Sequence, residues 1–150
     1  MKKQYLKIYP LMTIFMISAC QNNTNTISQE IPSHDYDEIS HLLIKWEELF
    51  IQSNELYHCY IYSPYCSHCE NIKNNVIDIA LTLDNFYFLT YDHNIPILSD
   101  VSGTIGAKQI EDVGILGTPT LLEVTESAIT NNIAGENSIL NFLKTIAKMA

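Results

Sequence analysis

The stretch Tyr57-His58-Cys59-Tyr60-Ile61-Tyr62-Ser63-Pro64-Tyr65-Cys66-Ser67-His68-Cys69 decides how the rest of the chain is understood. Its aromatic and β-branched first half, Tyr57 to Tyr62, reads as a strand. Downstream, Ile72, Val76, Ile79, Ala80 and Leu83 recur at helical spacing. Cys66 and Cys69 therefore fall where a strand gives way to a helix, with Cys66 at the helix N-terminus. Unpaired backbone N–H groups and the positive end of the helix dipole at that point stabilise a thiolate. The thiolate is the form that attacks disulfides. Two cysteines two residues apart make a dithiol that can cycle through a disulfide, and the pair predicts thiol–disulfide exchange.

Working outward, the 150 residues fit one domain. With 47% hydrophobic and 17% charged residues, the chain can fill a core and is unlike a disordered one. Its four cysteines, at 20, 59, 66 and 69, are too few for a disulfide-stapled miniprotein. At the start, Lys2, Lys3 and Lys7 precede a mostly apolar run from Ile8 to Ala19. Twelve helical residues rise only about 18 Å against a hydrocarbon core of about 30 Å, so the run fits an export signal rather than a spanning helix. It ends in Ile17-Ser18-Ala19-Cys20, which resembles the lipobox of bacterial lipoproteins, where the cysteine thiol is diacylated and becomes the new N-terminus. That resemblance implies a signal peptide over 1–19 and a lipid on Cys20. It also implies a protein anchored at a bacterial cell membrane and facing its extracytoplasmic side. Without residues 1–19, five lysines face seventeen acids, and there is no arginine. Such a surface argues against nucleic acid and against electrostatic attraction to anionic lipid, so the membrane contact falls to the lipid.

Residues 20–33 are polar and nearly uncharged, the composition of a flexible tether, and the domain is expected over 34–150. Asp35 with Glu38 three residues later reads as a capping box. Behind it Ile39, Leu42, Leu43, Trp46, Leu49 and Phe50 mark the apolar face of an N-terminal helix ending near Ser53. Phe86 to Tyr91 reads as a buried strand, and a weak helical stretch lies around Ala107 to Asp112. Thr120 to Thr125 and Ile129 to Ala134 read as two strands joined by a tight polar turn. After Gly135, a final helix carries Ile139, Phe142, Leu143, Ile146 and Ala147 on one face. The order predicts a parallel βαβ unit followed by an antiparallel hairpin.

From about Leu56 to Ala150 the chain resembles a thioredoxin-like domain. The resemblance rests on three features in order: the dithiol after the first strand, Gly117-Thr118-Pro119 directly before the hairpin, and a terminal amphipathic helix. It implies an α/β fold with a central mixed four-stranded sheet flanked by helices, preceded here by the N-terminal helix. It also implies a cis Pro119 opposite the dithiol. Pro119 has no N–H of its own, which leaves the Thr118 backbone to pair with an extended substrate beside Cys66. Cys66 becomes the attacking thiol and Cys69 the resolving one. Ser67 and His68, between the cysteines, become residues that tune the potential, with His68 resembling the periplasmic oxidants of the superfamily. Tyr65 joins Thr118 and Pro119 as a substrate-binding residue.

Three positions depart from cytosolic thioredoxins. Tyr60 stands where they carry a buried acid, Tyr65 where they carry tryptophan, and Asn74 where they carry a helix-kinking proline. These departures resemble the divergent extracytoplasmic members. Cys59 reads as a small buried hydrophobe, and tyrosines 57, 60 and 62 as core residues at alternating strand positions. The chain thus reads as a membrane-anchored thiol–disulfide oxidoreductase acting on exported protein thiols and disulfides. A membrane electron donor or acceptor is implied, and no tightly bound cofactor. Two alternatives stay open: a redox-slow accessory or binding protein on the same scaffold, serving bacteriocin export or secreted-protein maturation, and a metal carrier using the dithiol and a histidine. A zinc site needs four ligands, and the remaining histidines show no partner spacing, so no metal site is assigned.

Overall fold

The structure, a computed structural model, describes residues 33–148. The expected signal peptide, Cys20 and almost all of the tether lie outside the described residues. Four strands form one sheet: β1 (Leu56–Tyr62), β2 (Phe86–Thr90), β3 (Thr120–Thr125) and β4 (Ala128–Ala134), in the order β2-β1-β3-β4. β1 pairs parallel with β2 and antiparallel with β3, and β3 pairs antiparallel with β4. Two helices, α1 (Ser67–Ala80) and α2 (Glu136–Ile146), complete the frame. The sheet is mixed, as expected.

β1 is central, and every residue after Leu56 is buried. A strand covered on both faces has no polar side to present to water, which is why its sequence is almost continuously apolar and aromatic. Its alternation sorts two cores. Tyr60 and Tyr62 join Phe86, Phe88 and Leu121 beneath Ile72, Val76 and Ile77 of α1 and Ile139 and Leu143 of α2. Tyr57, Cys59 and Ile61 join Leu122, Val124 and Ile129 on the opposite face, closed by Trp46, Leu49, Ile95, Val113 and Ile115.

Those two cores explain why the N-terminal helix is shorter than the sequence predicts. The capping box is present, with the Asp35 N–H donating to Glu38 Oε1 at 2.8 Å. However, the helix is a 3-10 segment over Tyr36–Leu42, and a second 3-10 turn covers Trp46–Glu48. Between them Leu43 is extended and bridges to Phe88, and the Ile44 N–H donates to the Phe88 carbonyl at 2.9 Å. Ile39 fills one core while Trp46 and Leu49 fill the other. No single helix can serve both faces of a sheet, so the chain wraps round the β2 edge.

The weak helix around Ala107 to Asp112 is likewise only a 3-10 turn, Ile110–Asp112, with another at Ser102–Thr104. Gly106 N–H donates to the Ile129 carbonyl at 2.7 Å and Ile129 N–H to the Ala107 carbonyl at 2.9 Å. These bonds hold residues 106–107 against β4 and cover part of an otherwise open sheet edge.

Candidate functional site

Cys66 sits at the N-cap of α1 with extended dihedrals (φ −96°, ψ 109°), and its sulfur does what a serine or aspartate oxygen usually does there. The Cys69 N–H donates to Cys66 Sγ at 3.1 Å. The Cys66 thiol in turn donates to the Thr118 carbonyl at 3.3 Å. The approach from β1 is a tight turn, with Cys66 N–H on the Ser63 carbonyl at 3.1 Å. Cys66 is partly exposed, whereas Cys69, one helical turn in, is buried among the core side chains. Both are free thiols. Burial, reinforced by the Cys66 sulfur, pushes the Cys69 thiol up to about 11, although the Ser63 backbone and the Thr118 side chain act on it in the opposite sense.

The Thr118–Pro119 bond is cis. The Thr118 carbonyl accepts from the Cys66 thiol, and the Thr118 side chain opposes the effect of burial on the Cys69 thiol. Pro119 is buried, and its carbonyl accepts the Gly135 N–H at 3.0 Å, which anchors the start of α2 beside the site. Gly135 has φ +87°, a conformation only glycine adopts freely.

Two open grooves flank the dithiol. One, of about 410 Å³, is lined by His68, Thr118, Pro119 and the start of α2, Gly135 to Ser138. The other, of about 400 Å³, lies between Pro64 and Tyr65 on one side and Thr90 to His93 on the other. Tyr65 is 98% exposed, while Tyr57, Tyr60 and Tyr62 are buried, so only one tyrosine of the quoted stretch is free to meet a partner. Cys59 is fully buried, and its thiol is pushed up to about 12 by that burial.

His68 does not turn toward the sulfur. Its Nδ1 meets Glu136 Oε1, an atom that also accepts from Asn71 Nδ2 at 3.1 Å. Glu136 is held below the usual carboxylate range by His68 first and Asn71 second. Ser67 is exposed at the first position of α1. Sequence reading did not find Glu136. An acid in the first turn of a helix is an ordinary dipole-complementing choice, and nothing local ties it to a histidine 68 residues away. Tyr36 was also missed as a site neighbour: its ring stacks on Tyr62 with centroids 3.9 Å apart, close to the two cysteines. Among the described residues, no three His, Cys, Asp or Glu side chains come together as metal ligands.

No family model matches the sequence, and no curated protein matches it. Solved structures do resemble it. Thioredoxin from Aeropyrum pernix is 18% identical, with TM-score 0.47, covering 71% of this chain and 85% of that one. Mitochondrial thioredoxin 3 from Saccharomyces cerevisiae, in oxidized form, is 13% identical with TM-score 0.47, over 72% and 93%. Thioredoxin f from spinach chloroplast is 12% identical with TM-score 0.47, over 76% and 96%. Values this low leave the fold to be defined by the strand order itself. The parallel β1–α1–β2 unit, the antiparallel β3–β4 hairpin and the helix that follows it make a thioredoxin-like fold. Within it, Cys66 and Cys69 lie at the start of α1 against Thr118-Pro119.

Proposed function

We propose that the chain is a thiol–disulfide oxidoreductase, held at the outer side of a bacterial membrane by lipid on Cys20 and acting on exported proteins. The observation that carries the activity is the partly exposed Cys66 sulfur at the α1 N-cap, bonded to the Cys69 N–H and facing the Thr118 carbonyl. In exchange, Cys66 as thiolate attacks one sulfur of a substrate disulfide. A Cys66–substrate bond forms, the substrate disulfide breaks, and the departing sulfur takes a proton. Cys69 then attacks Cys66, forming the Cys66–Cys69 disulfide and releasing the second substrate thiol. Two electrons pass to the substrate, and the reverse sequence oxidises it. The Cys69 N–H and the start of α1 face the Cys66 sulfur, which carries the negative charge as the attacking thiolate of the first step. Ser67 and His68 at the helix start tune the balance, and Thr118, Pro119 and Tyr65 receive the substrate chain. What supports the anchor is the basic, apolar N-terminus ending in Ser18-Ala19-Cys20.

The test is covalent capture. Cys69→Ser accumulates substrate proteins disulfide-linked to Cys66, and Cys66→Ser does not; equal capture by both variants rejects the assigned roles. Reduction of insulin above the rate of the double-serine variant separates an enzyme from a redox-slow accessory protein. For the anchor, Cys20→Ala moves the protein from the membrane fraction to the soluble one. Retention of that variant on membranes counts against lipidation.

A further inference from the structure

On the core side of the dithiol, the hydroxyls of Tyr60 and Tyr36 meet no hydrogen-bond partner among the described residues. Tyr60 lies at the middle of β1 and is 0% exposed. Tyr36 comes from the first 3-10 segment and is fixed flat against Tyr62. Tyr60, Tyr62 and Cys69 belong to one packed cluster, against which Tyr36 and Cys66 also sit. Tyr60 packs in the same cluster as Cys69, and Tyr36 and the two cysteines all bear on its ionisation, while both cysteines bear on that of Tyr36. Tyr57, the other fully buried tyrosine of β1, shows the contrast: its hydroxyl donates to the Leu49 carbonyl.

An unpaired buried hydroxyl is destabilising, and native cores rarely leave two together. Most of that cluster is apolar, Ile39, Ile72 and Phe88 among it, and such side chains accept no hydrogen bond. The groups of this cluster whose accepting power changes most are the two cysteine sulfurs, weak acceptors as thiols and strong ones as thiolates, and of the two Cys69 is the buried one. Donors set in place before the charge forms stabilise the reacting state over the resting one.

We propose that the Tyr60 hydroxyl donates to the Cys69 thiolate in the resolving step, with Tyr36 as the positioning residue behind it. The inference rests on the reading of Cys69 as the resolving thiol. As the Cys66–Cys69 bond forms and the Cys66–substrate bond breaks, the electron pair leaves on the substrate sulfur. The proton Cys69 has given up ends there, and Tyr60 keeps its own. Burial, followed by the nearby Tyr36 and the two cysteines, holds Tyr60 ionisation well above the ordinary tyrosine range, so it acts as donor and not as base. The other titratable groups facing this cluster are Cys66, Tyr62, Glu70 and Lys73, whose ammonium stands 5.9 Å from the Tyr36 ring centroid. The Ser63 backbone and the Thr118 side chain also bear on the Cys69 sulfur, without offsetting its burial.

The test uses the reduced full chain with Cys20→Ala and one equivalent of 5,5′-dithiobis(2-nitrobenzoate). Attack by Cys66 releases one coloured thiol, and resolution by Cys69 releases the second. Tyr60→Phe leaves the first release unchanged, slows the second at least about tenfold and moves its pH midpoint up by about one unit. Tyr36→Phe slows it less, by about threefold, which is about 0.7 kcal/mol at about 1.4 kcal/mol per decade. Thermal stability of Tyr60→Phe stays equal to or above that of the parent, whereas a purely structural hydroxyl would lower it. An unchanged second release overturns the proposal. Absence of the first release in the parent instead overturns the oxidoreductase reading. The ¹³Cβ titration of Cys69 in the reduced protein then still decides: a midpoint raised about one unit by Tyr60→Phe upholds the donor, and an unmoved one removes it.

Discussion

The imidazole of His68 is bonded to the carboxylate of Glu136, tying the first turn of α1 to the first turn of α2 across the groove beside Pro119. His68, the second of the two residues between the cysteines, is thereby held on a carboxylate. Removing that acceptor by Glu136→Ala frees the imidazole to approach Cys66, where a donor or cation favours the reduced form. The reduction potential is expected to rise by about 10–30 mV on this account. The loss of the carboxylate charge acts through space as well, with or without the histidine. A double-mutant cycle with His68→Ala removes that common part, and a potential measured against glutathione in all four proteins checks it. Full additivity would show that the His68–Glu136 bond has no bearing on the dithiol.

The three described cysteines differ in access. Cys66 is partly exposed, while Cys69 and Cys59 are buried with thiols shifted upward. At pH 7 a thiol at about 12 is ionised in only about one molecule in 10⁵. Brief iodoacetamide treatment of the folded, reduced protein is therefore expected to place one adduct among these three, on Cys66. All three are labelled in denaturant. Mass spectrometry of the tryptic peptides reads the result directly, and early labelling of Cys59 would contradict its place in the core.

Local pattern made much of this legible. Tyr57 to Tyr62, the helical spacing from Ile72 to Ala80 and the Thr120–Ala134 hairpin each carry their signal within a few residues, and each forms where the sequence placed it. Ile39 to Phe50 also carries a helical period, yet its apolar residues divide between two cores, so the period marks no common face. At Ala107 the helical signal gives way to pairing with β4, where its carbonyl accepts the N–H of Ile129, 22 positions further along. The dithiol and the cis Thr118–Pro119 were found because they come as short motifs. The Glu136 partner of His68 and the Tyr36 neighbour of Cys69 were not, because only the tertiary fold brings them near.

His58 gives the fold a defined response to acid. It is buried between Phe86 and Phe142, with Nε2 3.4 Å from Glu123 Oε2 and no well-formed hydrogen bond. Burial lowers its pKa, only partly opposed by Glu123. Below the unfolded value of about 6.5 the unfolded chain binds the proton more readily than the folded one, so this contribution to stability is present above that pH and lost as pH falls. At pH 5 the loss from this residue is at most about 2 kcal/mol. The His58→Leu variant is expected to show a smaller fall in urea midpoint between pH 7 and pH 5 than the parent. His34, raised by Glu38 and Asp78, acts in the opposite sense, so the comparison is made with His34 intact in both proteins. Parallel pH profiles would mean that His58 takes up its proton equally well in both states.

The β3–β4 turn is built from residues poorly suited to it. Glu126 and Ser127 have φ of +51° and +60°, the left-handed pair that a two-residue hairpin with right-handed strand twist requires. For an L-residue with a Cβ that conformation costs about 1–2 kcal/mol. Glycine removes the cost at the second position while adding freedom to the unfolded chain, so Ser127→Gly should stabilise by a net of about 0.5–1 kcal/mol. In a domain of this size that raises Tm by roughly 2–5 °C. Ser127→Val, β-branched at the same φ, should lower it by at least as much. The turn lies at the end of β3 opposite Thr118, since the chain enters that strand from Pro119 and leaves it at Thr125. Insulin reduction by Ser127→Gly should accordingly match the parent at 25 °C and persist to higher temperature. A changed rate at 25 °C would mean that the hairpin turn is coupled to the dithiol.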